Sequence, residues 1–600
     1  MEEGARRAAA ERAEGAVLSE ISRAPFRLAA ALLVGAAVLL YSGTYGNPFV
    51  FDDLAVFGGE RSSPLRWLPE ASFSLVLAAF GAEPLPQRIV NALLHGATGV
   101  ALFGFLARLF AVVLAEARSR WLAFFAALWF VVHPVAVYGV AYLMQRSIIL
   151  ATLFSVVALW CVLEGLERGR ARWYAAAGAA YLLALVSKEH AVMLPAVAVA
   201  LAVVVRGASA ALLRRAMLGL GLCLAAAAAV LAQRLTLVGT AYEPNAAGLI
   251  TRLGADAALV YPLSVENQAT LFWRYLGTWL VPWPGWMSID VRTSFPRELA
   301  GLHTLGFILW LAYPVAACWL LVQRGRAALL GFGLLYPWLL ALTEVAAVRV
   351  QEPFVLYRSY LWMSGLPAIL PAVVAPLAPR WRLVSAGVLC ALLGALALGR
   401  LESFSSPLAL WDDAVRKNHD LAAPYVERPY VARGLAHLDE RSFDAAGADF
   451  ERALRLNPSS PEAYVGRGLL KLRSGRAREA LEDMDRALAL DPEHVPGYYN
   501  RCAVNAALGQ YAQALGDCDK ALALVPLNTE AWVNRGVVYA ALGRPAEAAA
   551  NFERALQLHP SHGPAHFNYG TLLAKSGRFG EARLHFAAAC EAGIEAACGR

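Results

Sequence analysis

The chain is short of charge: over 600 residues, Lys, Arg, Asp and Glu make up 16%, against about 25% in soluble globular domains. With 58% hydrophobic residues, a fold surrounded by water on all sides is excluded, and lipid must solvate much of the chain. Cysteine is also scarce. The eight copies show no CxxC or other metal spacing, and Cys161, Cys223, Cys318 and Cys390 lie inside apolar segments as small hydrophobes, which argues against a thiolate metal site. No tight ligand cluster replaces it, so neither a divalent metal nor another cofactor is implied. The net charge of +7 does not point to nucleic acid, because Lys and Arg fall in short segments between apolar blocks, as membrane-orientation signals do. A removable leader is not expected either. Residues 1–24 are polar and Arg-rich and the apolar run after them lacks a small-residue cleavage site, which reads as an uncleaved anchor.

What is present divides between two solvents. From about residue 25 to 400, apolar blocks near the span length of about 20 residues recur; from Leu401 onward charges return at ordinary density. About eleven blocks qualify, at roughly 25–42, 88–107, 121–138, 147–163, 173–186, 191–205, 213–233, 302–322, 327–345, 359–377 and 383–399. The stretch Trp173 to Val205 is too long for one span, and a tight turn at Ser187 to His190 keeps Lys188 and Glu189 out of mid-bilayer, where each would cost roughly 3 kcal/mol. With a cytoplasmic N-terminus, alternate loops carry the arginines: Arg108, Arg118 and Arg120; Arg168, Arg170 and Arg172; Arg206, Arg214 and Arg215; Arg324 and Arg326; Arg380 and Arg382. That sidedness requires Leu271 to Pro284, with Trp273, Trp279 and Trp283, to lie as a short interfacial or re-entrant helix. Outer loops then occupy 46–87 and 234–300, and an odd number of spans leaves the C-terminal region outside the cytoplasm, in the periplasm or its equivalent beyond an inner or plasma membrane.

Beyond a linker helix at 401–426, Pro458, Pro492, Pro526 and Pro560 recur every 34 residues. Counting from them, the fourth position of each repeat is Tyr430, Tyr464, Tyr498, Trp532 and His566; the eighth is Gly434, Gly468, Cys502, Gly536 and Gly570; the twentieth is Ala446, Ala480, Ala514, Ala548 and Ala582. This is the period and pattern of tetratricopeptide (TPR) helix pairs. Five of them over 427–600 make an α-solenoid with a concave groove suited to a protein partner, or a rigid cap or spacer. Cys502 with Cys518, and Cys590 with Cys598, could bridge in an oxidising compartment, although packing explains the first pair equally well.

The polar residues that look out of place gather on the outer face of this topology. Asp52 and Asp53 follow the first span in GNPFVFDDLAVF; one could serve as a base while the other caps or orients, or both could be a solvated loop pair. His133, Tyr138 and Arg146 bracket HPVAVYGVAYLMQR, Lys188 and Glu189 sit in SKEH, and Glu352 and Arg358 lie in QEPFVLYRSYLWM. Any one cation could snorkel to the boundary, but several near a carboxylate pair would form a pocket for a lipid-borne phosphate. Asn91 and His95 are one helical turn apart on the second block, lining the same cleft or forming a satisfied structural pair.

The FxxDD start, RIVNALLHG at 88–96, HPVAVYGVAYLMQR, SKEH followed by MLP, YRSYLW and the appended repeats together resemble the TPR-bearing membrane glycosyltransferases of the GT-C superfamily, bacterial relatives of the TMTC O-mannosyltransferases. The chain departs from that pattern at Tyr138, where the family usually carries an acidic residue, and at Tyr357 to Tyr360, where it usually carries Glu-Arg-Tyr. The resemblance implies an all-α, GT-C-like membrane domain at 25–400 and inverting transfer of a sugar from a polyprenyl-phosphate donor to an acceptor outside the cytoplasm. Asp52 or Asp53 would take the acceptor proton. Arg358, Lys188 and Arg146 would face the donor phosphate, with His133, Glu189, Asn91, His95, Tyr138 and Glu352 in support. The competing readings are a non-catalytic, membrane-anchored TPR scaffold for envelope assembly or secretion, and, less favoured for want of mid-span charge, a transporter.

Overall fold

The computed structural model describes residues 26–51, 53, 66–81, 83–114, 119–230, 259–350 and 352–600. Among them the regular structure is helical, without strands. The contacts divide the chain into two compact units, Met1–Asn47 with Pro64–Ser405, and Pro48–Ser63 with Ser406–Arg600.

Among the described residues of the first unit seven helices are long and apolar enough to cross a membrane: Phe26–Thr44, Pro84–Leu114, Leu143–Arg168, Glu189–Arg206, Gly301–Leu321, Arg326–Ala346 and Trp381–Phe404. An eighth candidate is the pair Arg120–Val131 and Pro134–Val140, bent by 45°. The bend lies where Pro134 removes a backbone donor and holds His133 extended, at φ −71° and ψ 132°.

Two of the expected blocks, and the segment expected to be interfacial, differ from what the sequence suggests. The 173–186 block is the 17-residue helix Ala171–Ser187. The 359–377 block is a chain of short turns, Ser359–Trp362, Met363–Ile369 and Leu370–Val373. Pro367 and Pro371 interrupt the helical ladder there, and Gly365 lets the backbone pass so close to Tyr336 that a Cβ would lie 2.1 Å from its ring. The tryptophan-rich segment expected to be short is the C-terminal part of a 21-residue helix, Val260–Leu280. That helix carries Glu266 and Arg274 and is not among the candidate spans.

The path around Lys188 is a sharp reversal. Helix Ala171–Ser187 ends, Lys188 is extended (φ −160°, ψ 131°), a 3₁₀ turn covers Glu189–Met193, and Leu194–Arg206 begins with a proline in its first turn. Proline in a first turn loses no hydrogen bond. The chain therefore returns towards the boundary where Arg168 ended the previous candidate span.

The second unit contains the linker helix Pro407–Lys417, whose N-terminus is capped by the Ser406 hydroxyl accepting from the Ala409 N–H at 3.1 Å. Five helix pairs follow, starting with Arg428–Asp439 and Phe443–Leu456 and ending with Gly563–Lys575 and Phe579–Glu591. Each pair closes where a small residue faces a larger side chain. A Cβ at Gly434 would meet Phe450 at 2.8 Å, and one at Gly536 would meet Phe552 at 2.6 Å. In the third pair both partners are cysteine, and Cys502 and Cys518 are bonded; a second disulfide, Cys590–Cys598, ties down the last turn.

A ladder of arginines joins successive pairs. Arg467 grips Asp483 through two bonds of 3.0 and 2.7 Å and reaches Glu451 of the preceding pair at 2.7 Å. Arg501 repeats this with Asp517 and Asp485, and Arg433 with Asp449 and Asp412. Bidentate geometry of this kind fixes orientation as well as adding energy. The ladder ends in the fifth pair, where Tyr569 holds the equivalent position and donates to Glu553 at 2.6 Å.

The turn within each pair needs a left-handed residue. Gly475, Gly509, Gly543 and Gly577 supply it at φ 69–77°, but the first pair uses Arg441 at φ 59°. A side chain in that region costs roughly 1–2 kcal/mol, so Arg441→Gly is expected to stabilise the array by about 1 kcal/mol, net of glycine's larger entropy in the unfolded chain. Denaturant unfolding of the variant against the parent measures it; a loss of stability would show that the Arg441 side chain contributes more than its backbone strain costs.

The array also carries a proton-sensitive element. Burial, reinforced by the charge of His562, lowers the pKa of His559 to about 4 from an ordinary 6.5. The folded state then binds fewer protons than the unfolded one, so the contribution of His559 is complete above pH 6.5 and is lost as the pH falls from about 6.5 to 4. Thermal unfolding of His559→Gln beside the parent should differ in slope across that window. Parallel curves would contradict it.

Candidate functional site

In the first unit the sequence brings together charges from four distant segments. The turn after Ser187 presents Lys188, Glu189 and His190; the end of the helix before residue 346 presents Glu344; the irregular chain after it presents Arg349, Glu352 and Arg358; and Arg66 comes from just ahead of the helix Trp67–Phe80. The carboxylate at the centre is Glu344, 3% exposed. It bonds His190 Nε2 at 2.8 Å, accepts from Arg358 Nη1 at 3.4 Å and pairs electrostatically with Arg349, whose Nε lies at 2.8 Å. Arg358 also donates to the Glu352 carbonyl at 2.8 Å and lies 3.6 Å from the Glu352 carboxylate. Beside this group, Glu189 accepts from Arg66 at 2.6 and 3.2 Å.

Lys188 differs from its neighbours. It is 4% exposed, donates to the Gln145 amide oxygen at 3.0 Å and has its ammonium 5.3 Å from the centre of the Tyr357 ring. No carboxylate of the described residues forms an ion pair with it. Removing an ammonium from water is costly unless an anion compensates, and here the Glu189 and Glu344 carboxylates act on it only through space, without an ion pair.

The other expected residues fall into two sets. Arg146 lies 0% exposed, but its guanidinium is spoken for. It donates to Asn91 at 2.7 Å and to the Gln87 carbonyl and side chain at 3.0 and 2.7 Å, and it stacks on Phe73 at 4.1 Å. Asn91 completes this network by donating to the Val140 and Leu143 carbonyls, and Gln145, next to Arg146, carries it to Lys188. Arg146 thus braces the backbone beside Gln145, the Lys188 partner.

His95 bonds the Tyr360 hydroxyl at 2.6 Å and the Val131 carbonyl at 2.8 Å. His133 caps the turn after the bend by accepting from Val135 N–H, bonds the Trp279 carbonyl at 3.1 Å and stacks on the Trp279 ring at 4.2 Å. Tyr138 is buried with its ring 5.6 Å from Phe404. These three tie helices together.

Asp52 lies outside the described residues. Asp53 belongs to the second unit, is wholly buried, and closes a tight turn in which its carboxylate accepts from the Val50 N–H at 3.4 Å. Within that turn Phe51 adopts φ 56°, an uncommon conformation for an aromatic residue, with its ring against Trp411.

Sequence reasoning missed Arg66, Gln145, His190, Glu344 and Arg349 as participants. A signal did exist for Glu344: a carboxylate at the end of an apolar block has to be compensated by something.

A tetratricopeptide-repeat family model matches residues 431–495, 505–561 and 539–597. Over 168 residues the chain is 29% identical to Protein O-mannosyl-transferase TMTC1 of Mus musculus, covering 24% of this chain and 17% of that protein. The match thus spans about a sixth of the relative's length. Among solved structures, TTC0263, a thermophilic TPR protein of Thermus thermophilus, is 29% identical over 28% of this chain and 92% of its own, with a TM-score of 0.27. The pilF protein of Pseudomonas aeruginosa is 23% identical over 28% and 77%, with a TM-score of 0.25. The chain is therefore a helical protein with a TPR array, several helices apolar enough for a membrane, and weak similarity to a protein O-mannosyltransferase.

Proposed function

We propose that the chain is a membrane glycosyltransferase that moves a sugar from a polyprenyl-phosphate-linked donor to a hydroxyl, with the TPR array holding a protein acceptor or partner. The observation that carries this reading is Lys188, a buried cation without a carboxylate of its own beside a cluster that already holds Arg358 and Arg349 in place. In the proposed reaction the acceptor oxygen attacks the anomeric carbon from the face opposite the phosphate, inverting it. The bond to the phosphate oxygen breaks with its electron pair, and Lys188 stabilises the charge that develops there, while Arg358, held by Glu344 and Glu352, adds its field from beside it. Which carboxylate takes the acceptor proton, Asp52 or Asp53 by the sequence pattern alone, is decided by the variants below.

The two disulfides support an extracytoplasmic position for the second unit. Both bridges lie there, while the four free cysteines lie in the first unit; structural disulfides persist in oxidising compartments. A tag at Arg600 should be labelled in intact cells by a reagent that does not cross membranes. Labelling only after lysis would reverse the topology.

The reaction itself is tested with the full chain in nanodiscs, a radiolabelled polyprenyl-phosphate sugar and acceptor proteins from the same membrane source. Transfer by the parent and none by Asp52→Ala/Asp53→Ala is expected. Undiminished transfer in the double variant would remove the proposed base, and partner capture without any transfer by the parent would favour the scaffold.

A further inference from the structure

A second site lies at the other end of the same helices, away from Lys188. Leu143–Arg168 and Glu189–Arg206 both finish at one boundary, the first at Arg168 and the second at Arg206, and the start of the next helix adds Arg170 at its N-cap and Arg172 in its first turn. Between these helices, Ala171–Ser187 and Ala210–Val230 runs a cavity of about 510 Å³ whose walls include Leu166, Tyr174, Gly178, Ala198, Leu212 and Cys223. That volume falls in the range of about 300–1,000 Å³ typical of small-molecule sites, yet the lining is almost wholly apolar.

The two ends of the cavity differ. At the Lys188 end it is shut: Leu194 is 3% and Tyr181 7% exposed, and the Tyr181 hydroxyl donates to the Val192 carbonyl at 3.0 Å. Towards the arginine end its wall is exposed, at Gly178 midway and at Tyr174, 46% exposed, nearer the arginines. Arg206 stands at that mouth, donating to the carbonyl of Leu166, a wall residue. Arg168 is already paired with Glu164 at 2.5 Å, and Arg108 with Glu164 and Glu167. Arg170, Arg172 and Arg206 form no ion pair with a described carboxylate.

We propose that this cavity binds an anionic glycerophospholipid, with one acyl chain between the helices and the phosphate-bearing headgroup at Arg206, Arg170 and Arg172. Charge decides among lipids: a zwitterionic headgroup gains little from three uncompensated guanidinium groups, whereas each basic side chain near a membrane surface favours an anionic one by about fivefold. The closed upper end separates this site from the donor phosphate. The lipid belongs to the leaflet at the arginine boundary, and its binding does not depend on the transfer reaction.

The test uses the full chain in nanodiscs of equal phosphatidylglycerol and phosphatidylethanolamine, followed by release into mild detergent and native mass spectrometry of the lipid retained. Phosphatidylglycerol should be kept preferentially, and Arg206→Ala should reduce the preference about fivefold. Gly178→Phe should abolish retention of both lipids, since a Cβ built at Gly178 meets no atom within 4 Å and the ring would fill the cavity without a backbone clash. Equal retention of the two lipids by the parent would overturn the proposal. So would unchanged retention in a Gly178→Phe protein that elutes like the parent, or displacement of the retained lipid by added polyprenyl phosphate. If Gly178→Phe does not fold, the Arg206→Ala comparison alone decides, because an exposed arginine at a helix end leaves packing intact.

Discussion

Lys188→Ala is expected to slow sugar transfer about 10²–10³-fold, the loss seen when a single preorganised charge-stabilising donor is removed from an active site. The side chain makes one hydrogen bond, to Gln145, and one aromatic contact, to Tyr357, so its removal leaves no carboxylate of the described residues stranded and costs the fold little. The effect should fall on kcat more than on KM, because the phosphate carries more negative charge as the bond to the sugar breaks. Lys188→Arg should recover only part of the activity. Its broad fork cannot take the place of a compact ammonium between an amide and a ring. A parent-like kcat in Lys188→Ala would mean that the anion sits elsewhere.

Glu344→Ala should act on the fold instead. Its carboxylate is the shared partner of His190, Arg349 and Arg358, and deleting it leaves buried cations facing one another. Breaking a buried ion pair by removing one partner costs about 3–5 kcal/mol, a large part of the stability of an ordinary domain. The variant should lose expression or unfold at markedly lower temperature in detergent. Glu344→Gln, which keeps the volume and one acceptor, should fall between the variant and the parent. A change below about 1 kcal/mol in Glu344→Ala, well short of that penalty, would show that water or lipid phosphate already satisfies the arginines.

Residues 427–600 were legible because the period is local: Pro458, Pro492, Pro526 and Pro560 mark every repeat, and small residues at Gly434 and Ala446 report helix contacts within a single pair. The membrane unit was legible as far as single helices reach, since apolar length is a property of each segment alone. It failed where length and packing disagree. The block at 359–377 is apolar enough for a span, but Gly365, Pro367 and Pro371 break it into turns that pack under neighbouring helices. The helix Val260–Leu280 starts earlier than the tryptophans suggest, because Glu266 and Gln268 find their partners, Thr304 and the Pro353 carbonyl, far away in sequence.

The charged cluster was half visible for the same reason. Lys188, Glu189, Glu352 and Arg358 stand out as isolated charges beside apolar runs. That Glu344 gathers three of its neighbours, or that Arg146 is occupied by Asn91 and Gln87, depends on contacts between residues 14 to 154 positions apart. Nor does sequence distinguish an arginine prepared for a ligand from one that braces a helix; only the count of its hydrogen bonds does so.

The measurement closest to the central claim is binding of a polyprenyl-phosphate sugar, labelled at its phosphorus, to the purified full chain and to Lys188→Ala, with phosphorus–nitrogen distances read by solid-state NMR using lysine labelled at Nζ. The expected result is a donor signal within contact distance of a lysine nitrogen in the parent that vanishes in the variant. Equal binding by both proteins, with no lysine nitrogen near the phosphorus in either, would contradict it.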